Sequence, residues 1–456
     1  MKIHRVRRTT ALAAVASIAS LSTLAACGSS DEPEADGKVT ITVEGWRPGD
    51  EQATIDTVNK QAEAFMAENP DIVVEPVEWE WSAETFATQL AGDTLPTSFR
   101  VPFTDAKGLA ERKQIADVTE YVEALPYFDE FNPSVLEATK GLDGQIYGLP
   151  TDVYGVGLHY NRELFEQAGL DPDSPPTNWD EVRTAADAIA EETGQPGYVQ
   201  MTTNNTGGWM LTTLTYSLGG RMESEDGAEA TVDNEQTAEG LQMLQDMRWS
   251  DDSMGRNTNF EWGTINEAFA AGKVGMYMSG SDIYNALVTT NQVKPDTYGL
   301  AALPLADSGE AGILGGGSVA AVSAKASAEE AEAAVKWNDY YRMARLYDED
   351  AAVTDAKTLS EGDQPVGTPT LPTFDQAKWD EVQGWIEPYV NVPRDQMTSF
   401  TDGVFEQTLI SEPPSRTQEL YAILDSVVQK VLTDENADVD ALLADADEQA
   451  QTLLDS

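Results

Sequence analysis

Ten tryptophans are spread along this 456-residue chain, and several stand beside glycine or polar loop residues instead of on apolar helix faces. Trp46 follows Gly45, Trp209 follows Gly207 and Gly208, and Trp262 precedes Gly263. A flat ring held beside carboxylates and amides suits a sugar, whose C–H faces stack on aromatics while its hydroxyls need forked acceptors and donors. A core or lobe-interface position is the competing reading for each ring, because tryptophan is highly buried on average. Trp179 and Trp337 recur at helical spacing with apolar neighbours and read as packing.

Covalent chemistry has little to work with. The histidines are His4 and His159, and His159 alternates with Leu158 and Tyr160 in an extended run with no nucleophile motif nearby. Zinc sites built from several His or Cys are excluded. No Gly-Lys-Ser/Thr phosphate loop is present, and Asp171 to Asp173 lacks the glycine and closing glutamate of a calcium loop. No metal and no cofactor are therefore expected. Carboxylate pairs of the kind that hydrolyse glycosides are inevitable among 79 acidic residues, so their presence decides nothing.

One residue at the start carries a different chemistry. Lys2, Arg5, Arg7 and Arg8 precede an apolar stretch from Ala11 to Ala26, which is too short to span a bilayer as a mature helix. It ends in Leu24, Ala25, Ala26 and Cys27, resembling a bacterial lipobox cut before Cys27. Cys27 is the only cysteine, so no disulfide forms within the chain and the thiol stands where a lipid thioether would be made. The expected divisions here are a signal peptide over 1–26 and a lipidated, polar tether over 27–37.

Formal net charge is −51; the first 26 residues hold four of the 28 basic residues and no acidic one, leaving 24 against 79, or −55. Such a surface disfavours nucleic acid and anionic lipid, which need positive potential. It suits a heavily solvated exterior. With 41% hydrophobic residues the chain can bury enough core for two lobes.

The elements that must position the rings follow in order. Val39 to Val43 alternates as a strand, Ile55 to Met66 is an amphipathic helix ending at Asn69-Pro70, and Ile72 to Trp79 is a second strand. That opening predicts a βαβ unit with parallel pairing. From Gly144 to Leu170 the chain turns, passes through an extended run containing Gly155 and Gly157, and enters a helix capped by Asn161 and stopped by Gly169. Further helices are read from Thr177 with Asp180, over Ala238 to Met247, from Thr264 with Glu267, and from Ser327 with Glu330. Strands are read over Val274 to Met278, Tyr298 to Leu303 and Ser318 to Ser323. After about Leu346 the chain reads as helices and loops.

These pieces resemble a family. Gly144 to Pro150, Tyr160 to Phe165 with Ala168 to Leu170, Pro176 to Trp179, Phe269 to Lys273 through Met276 and Gly280, and Gly315 to Ser318 follow the order and spacing of the carbohydrate-binding proteins of bacterial ABC importers (extracellular solute-binding protein family 1). The likeness fades after about residue 350. It implies an α/β, two-lobe periplasmic-binding-protein-like fold with hinge crossings near Leu149 to Gly157 and near Leu303-Pro304, and a ligand cleft between the lobes. The lobes implied are 38–150 with 304–346 and 151–303 with 347–456.

The expected ligand-binding set is Trp46, Arg47, Asp50, Trp81, Arg100, Asp105, Asp152, Tyr154, Trp209, Trp262, Asp282, Gly316 and Gly317, of which the resemblance implies Trp46 to Asp50, Tyr154, Trp209 and Asp282. Pro96 to Pro102 departs from the family pattern, so Arg100 and Asp105 are expected to shape the sugar subsite differently. The expectation is a monomeric, lipid-anchored receptor on the extracytoplasmic face of the membrane that delivers an oligosaccharide to a permease and does no chemistry. A lipoprotein glycosidase, or the same fold holding a polyol, peptide or polyamine, is the alternative.

Overall fold

The computed structural model describes residues 37–224 and 226–455; the expected signal peptide, Cys27 and almost all of the tether lie outside them. The chain opens as its periodicity requires. Strand β1 (Val39–Trp46) and β2 (Ile72–Glu78) pair in parallel around the helix Gln52–Glu68, which buries Val58, Ala62 and Phe65 and ends at Asn69. Parallel neighbours need such a crossover because a tight turn can join only antiparallel strands. Strand β3 (Ser98–Pro102) extends the sheet on the other side of β1.

Two long strands then join the halves of the molecule. β4 (Gly148–Asn161) pairs over Gly148–Gly155 with β7 (Ile313–Val322), and over Val156–Asn161 with β5 (Met276–Gly280) and β6 (Tyr298–Ala301). β7 lies antiparallel to β3 over Ser318–Val322 and to β4 over Gly315–Ala321, and pairs with the short β8 (Leu409–Ser411) at its start. One strand thus belongs to two sheets, giving a two-lobe α/β fold. The β4–β7 register slips between Thr151 and Tyr154, where Asp152 takes φ of +53°.

Close packing explains the glycines here. A Cβ on Gly155 would sit 2.7 Å from Ile313 Cδ1, and one on Gly157 would sit 2.9 Å from Leu300 Cδ1 and 3.1 Å from the Ala301 carbonyl oxygen. Asn161 caps the helix Arg162–Gln167 by accepting from the Leu164 amide, and Gly169 takes φ of +74°.

Two caps differ from the sequence reading. Asn178, not Thr177, caps Trp179–Thr193, while Thr177 donates to the Glu181 carboxylate. Glu261 caps Trp262–Ala270 with Thr264 completing the reciprocal pair, so Thr264 lies inside the helix. The third shift is in β7, which begins at Ile313, five residues before the expected Ser318, and runs through Gly315 to Gly317. Its glycines are dictated by neighbours: a Cβ on Gly315 would lie 1.8 Å from Leu409 Cδ1.

Leu303 and Pro304 lie in the connection between β6 and β7, whose backbone stays bonded to the helix Thr206–Leu218 through Ala306 to the Ser217 carbonyl and Gly312 to the Tyr216 carbonyl. The strand running beside β4 through the junction is β7. Beyond residue 346 the chain serves both halves. Residues 373–375 bond to the backbone of 130–132, whereas the helices Thr417–Thr433 and Val439–Leu454 pack with Thr206–Leu218 and Glu235–Trp249. Trp179 and Trp337 are buried core rings.

Candidate functional site

The strand β3 ends at Pro102, and the helix Phe103–Glu111 starts immediately, so its first turn projects Thr104, Asp105 and Lys107 from the end of the sheet. Facing them is the segment after β8, from Glu412 to Glu419, which enters the helix Thr417–Thr433 through Arg416 at φ of +50°. Between the two lies a cavity of about 900 Å³, within the size range of small-molecule sites. Trp81, Asp105 and Tyr154 of the expected residues line it, together with Thr104, Lys107, Arg112, Glu412 and Arg416.

Tyr154 is seated by glycines. A Cβ on Gly316 would meet its hydroxyl oxygen at 2.3 Å, and one on Gly280 would meet its ring at 3.2 Å. The expected Gly316 therefore makes room for Tyr154. Burial raises the Tyr154 phenol above its ordinary proton affinity, with Glu412 and Asp282 adding to the effect. Trp209 is half-buried and meets the Tyr154 ring edge-on at 6.4 Å, so it reaches the cavity through that ring and is not in its lining. The Trp209 indole Nε1 is buried without a partner among the described residues. Trp81 leans on Phe86 at 5.1 Å, which fixes its ring at the other side.

The carboxyls in the cavity are held in a low-dielectric setting. Burial raises the Asp105 pKa, opposed by the Thr104 hydroxyl that donates to it at 3.0 Å and by Arg112. Glu412 is pushed up to about 7 by burial, against a hydrogen bond donated by Tyr421 at 3.0 Å and with a further push from Asp105.

The glycines before Trp209 are places of close backbone approach within the protein. A Cβ on Gly208 would lie 2.4 Å from the Tyr421 carbonyl oxygen, and one on Gly207 would lie 2.7 Å from Thr202 Cα. Gly208 lets two helices touch backbone to backbone, and Gly207 lets its helix lie against the preceding loop. Asp425 on the second helix accepts from the Asn205 and Gly208 amides at 2.8 Å each, anchoring the turn that carries Trp209.

Trp46, Arg47, Asp50, Arg100, Asp152, Trp262, Asp282, Gly316 and Gly317 are outside the lining of this cavity. Trp46 ends β1 half-buried, and its carbonyl accepts from the Trp79 amide. Arg47 and Asp50 are exposed, and the Asp50 carboxylate accepts from the Arg47 amide at 2.7 Å. Trp262 is 44% exposed at the first position of its helix. Asp282 is exposed just past β5, and Gly317 lies against Phe103.

Arg100 is committed elsewhere: its Nε and Nη2 donate to Glu44 Oε1 at 3.1 and 2.7 Å, and its Nη1 to Asp152 at 2.6 Å. Glu44 and Glu412 were not anticipated. Glu44 sits in a strand read only for its apolar alternation, and Glu412 lies where the family likeness has faded. A charged residue in a half-buried strand was the available signal for the first. Among the described residues, no group of three or more His, Cys, Asp or Glu could hold a metal ion, and no helix is long and apolar enough to cross a membrane.

A putative binding protein of Brucella abortus (strain 2308) is 28% identical over 271 residues, covering 55% of this chain and 60% of that protein. An arabinooligosaccharide-binding protein of Halalkalibacterium halodurans is 31% identical over 137 residues, 29% of this chain and 28% of the relative. The fold matches the crystal structure of a cyclic alpha-maltosyl-1,6-maltose binding protein from Arthrobacter globiformis, with a TM-score of 0.68, 23% identity, and coverage of 92% of this chain and 99% of that one. The family of bacterial extracellular solute-binding proteins matches residues 60–353, more than half of the sequence, and the chain belongs to that family.

Proposed function

We propose that this protein is a carbohydrate receptor of an ABC importer, held at the extracytoplasmic face of the membrane by a lipid on Cys27, that closes its lobes over an oligosaccharide and passes it to a permease. The observation that carries the reading is the cavity between the Phe103–Glu111 helix and the Glu412–Glu419 segment. It sets the rings of Trp81 and Tyr154 beside Asp105 and Glu412. Rings supply stacking surface and carboxyls accept hydroxyl donors, the combination a sugar needs. The sugar ligands named for the arabinooligosaccharide-binding relative and for the Arthrobacter globiformis protein support the same class.

Motion follows from the junction. The proposed lobes, 38–150 with 304–346 and 151–303 with 347–456, are linked through β4, beside which β7 runs, and a ligand touching both sides would favour the closed state. The anchor is tested by Cys27→Ser, which is expected to free the protein from membranes while leaving its fold intact. Retention of the variant in membranes washed with high salt would defeat the lipid assignment.

The receptor acts as a monomer and does no chemistry. One observation favours the rival, a glycoside hydrolase: Asp105 and Glu412 share the cavity, and each has a raised proton affinity. A thermal-shift screen against a carbohydrate panel, paired with aryl glycosides, separates the two. A receptor is stabilised by its sugar, by about 2.7 kcal/mol at a hundredfold excess over Kd, and releases no phenol. Release of the aryl group, abolished by Asp105→Asn or Glu412→Gln, would establish the hydrolase instead.

A further inference from the structure

Beyond the cavity that Tyr154 faces, the cleft continues into a second chamber of about 540 Å³. Thr104, Lys107, Glu412 and Pro414 line both spaces. The second chamber is walled by Tyr216 at the end of the Thr206–Leu218 helix and by Glu223 beyond it. Glu223 is 6% exposed. Its Oε2 accepts from the Ser415 amide at 3.0 Å, and its Oε1 is buried with no partner among the described residues. A buried carboxyl oxygen without a donor is costly, and such atoms mark places where something else binds.

The cations around the chamber are used by other groups. Lys140 pairs with Glu137 at 2.8 Å. Arg221 donates to the Gly220 and Glu310 carbonyls at 2.6 and 3.0 Å, and Lys107 acts on Asp226. Neither Glu223 nor Glu412 forms an ion pair among the described residues, and Asp105 bears on Glu412 as a like charge.

We infer that this chamber is a second sugar subsite, in which Glu223 and Glu412 accept hydrogen bonds from the hydroxyls of a further unit of the oligosaccharide. The inference rests on the carbohydrate reading above and extends it: the cleft measures ligand length, and Glu223 is the residue that reads the added unit. Neither carboxyl has a cation partner among the described residues, and burial raises both pKa values to about 7. A hydroxyl donating to Glu223 favours the ionised form, so capture of the longer ligand releases protons. Tyr216, Tyr154 and Tyr421 are held neutral by burial through this range, Asp105 faces Glu412 as a like charge, and Lys107, Lys140, Arg221, Glu137 and Glu310 are the other charged groups lining the chamber.

The test is isothermal titration of the full chain with disaccharide-to-hexasaccharide ladders of malto-, cello-, xylo- and arabino-oligosaccharides, at about pH 6 and pH 8. On the ladder that binds, affinity is expected to rise when the added unit fills the second chamber. That gain should grow about tenfold between the two pH values, as the ionised fraction of a group titrating near 7 grows. Glu223→Gln, which keeps the shape and the acceptor for Ser415, should lose most of the length-dependent gain and its pH dependence. Glu412→Gln is the second variant should the first fail to fold. Length dependence and pH profile unchanged from the native protein in either folded variant would overturn the inference. If no ladder binds, the carbohydrate reading itself fails and this inference falls with it.

Discussion

Arg100 is the residue for which a ligand-binding role and a structural role predict opposite results. Its guanidinium donates twice to Glu44, and its amide donates to the other Glu44 oxygen at 2.7 Å. The Glu44 side chain is 8% exposed and that of Arg100 is 24% exposed, so the pair is largely desolvated. Arg100→Met keeps the stem and removes the fork. What remains for Glu44 is the backbone amide and Arg342, whose Nη2 lies 3.8 Å away. Removing one member of a buried pair destabilises by about 3–5 kcal/mol, and the surviving amide donor with the nearby Arg342 charge places the expected loss near the lower end, about 3 kcal/mol. The Asp152 contact adds little, since that side chain is 51% exposed. Urea unfolding of the native and variant chains measures the difference. A second variant that also carries Glu44→Gln should recover part of the loss, because the buried charge is gone. A loss under about 1 kcal/mol, of the size of a surface pair, together with abolished sugar affinity would refute this reasoning and return Arg100 to the ligand.

Three further outcomes follow from single contacts. Trp209→Ala, which bares the edge of Tyr154, should weaken sugar binding by about 2–4 kcal/mol in titration calorimetry; a stability loss of about 3–5 kcal/mol with unchanged affinity would make it a core ring instead. Gly208→Ala drives a Cβ into the Tyr421 backbone, which has no flexible end to move, so urea unfolding should show a loss of about 1–3 kcal/mol. His159 is buried and neutral, with one ring nitrogen 2.8 Å from the Tyr298 hydroxyl and the other 3.0 Å from the Ser279 carbonyl, and burial lowers its pKa to about 4. The unfolded chain binds this proton first, so stability should fall as pH drops from about 6.5 to 4, by up to about 3 kcal/mol. Glu223 acts in the opposite sense between about 4.5 and 7, so the His159 contribution is read as the difference between native and His159→Gln chains at each pH.

What could be read from the chain was local and periodic. The β1–helix–β2 opening is read from short periodic runs and the Asn161 cap from neighbours within a few residues, and each is present. The start of β7 was missed because Gly315 to Gly317 look like a turn until Leu409 and Tyr154, far along the chain, are seen to fill the space a side chain would need. Glycine there answers a tertiary constraint that no local window contains. The cleft shows the same limit. Tyr154 was named through the family resemblance, which puts it on the strand that crosses between the lobes. Glu412 meets Asp105 only after the chain has crossed both lobes, and the partner of Arg100 is 56 residues away on another strand. Charge pairing across such distances is a property of the fold and leaves no periodic trace in the sequence.

The most direct test is an equilibrium titration of the full chain with the oligosaccharide that gives the largest thermal shift, followed by chromatography of the recovered sugar. Saturable binding of one ligand per chain, with the sugar recovered intact, is the expected result for a receptor. Absence of binding across every carbohydrate class, or recovery of shortened sugar, would contradict it.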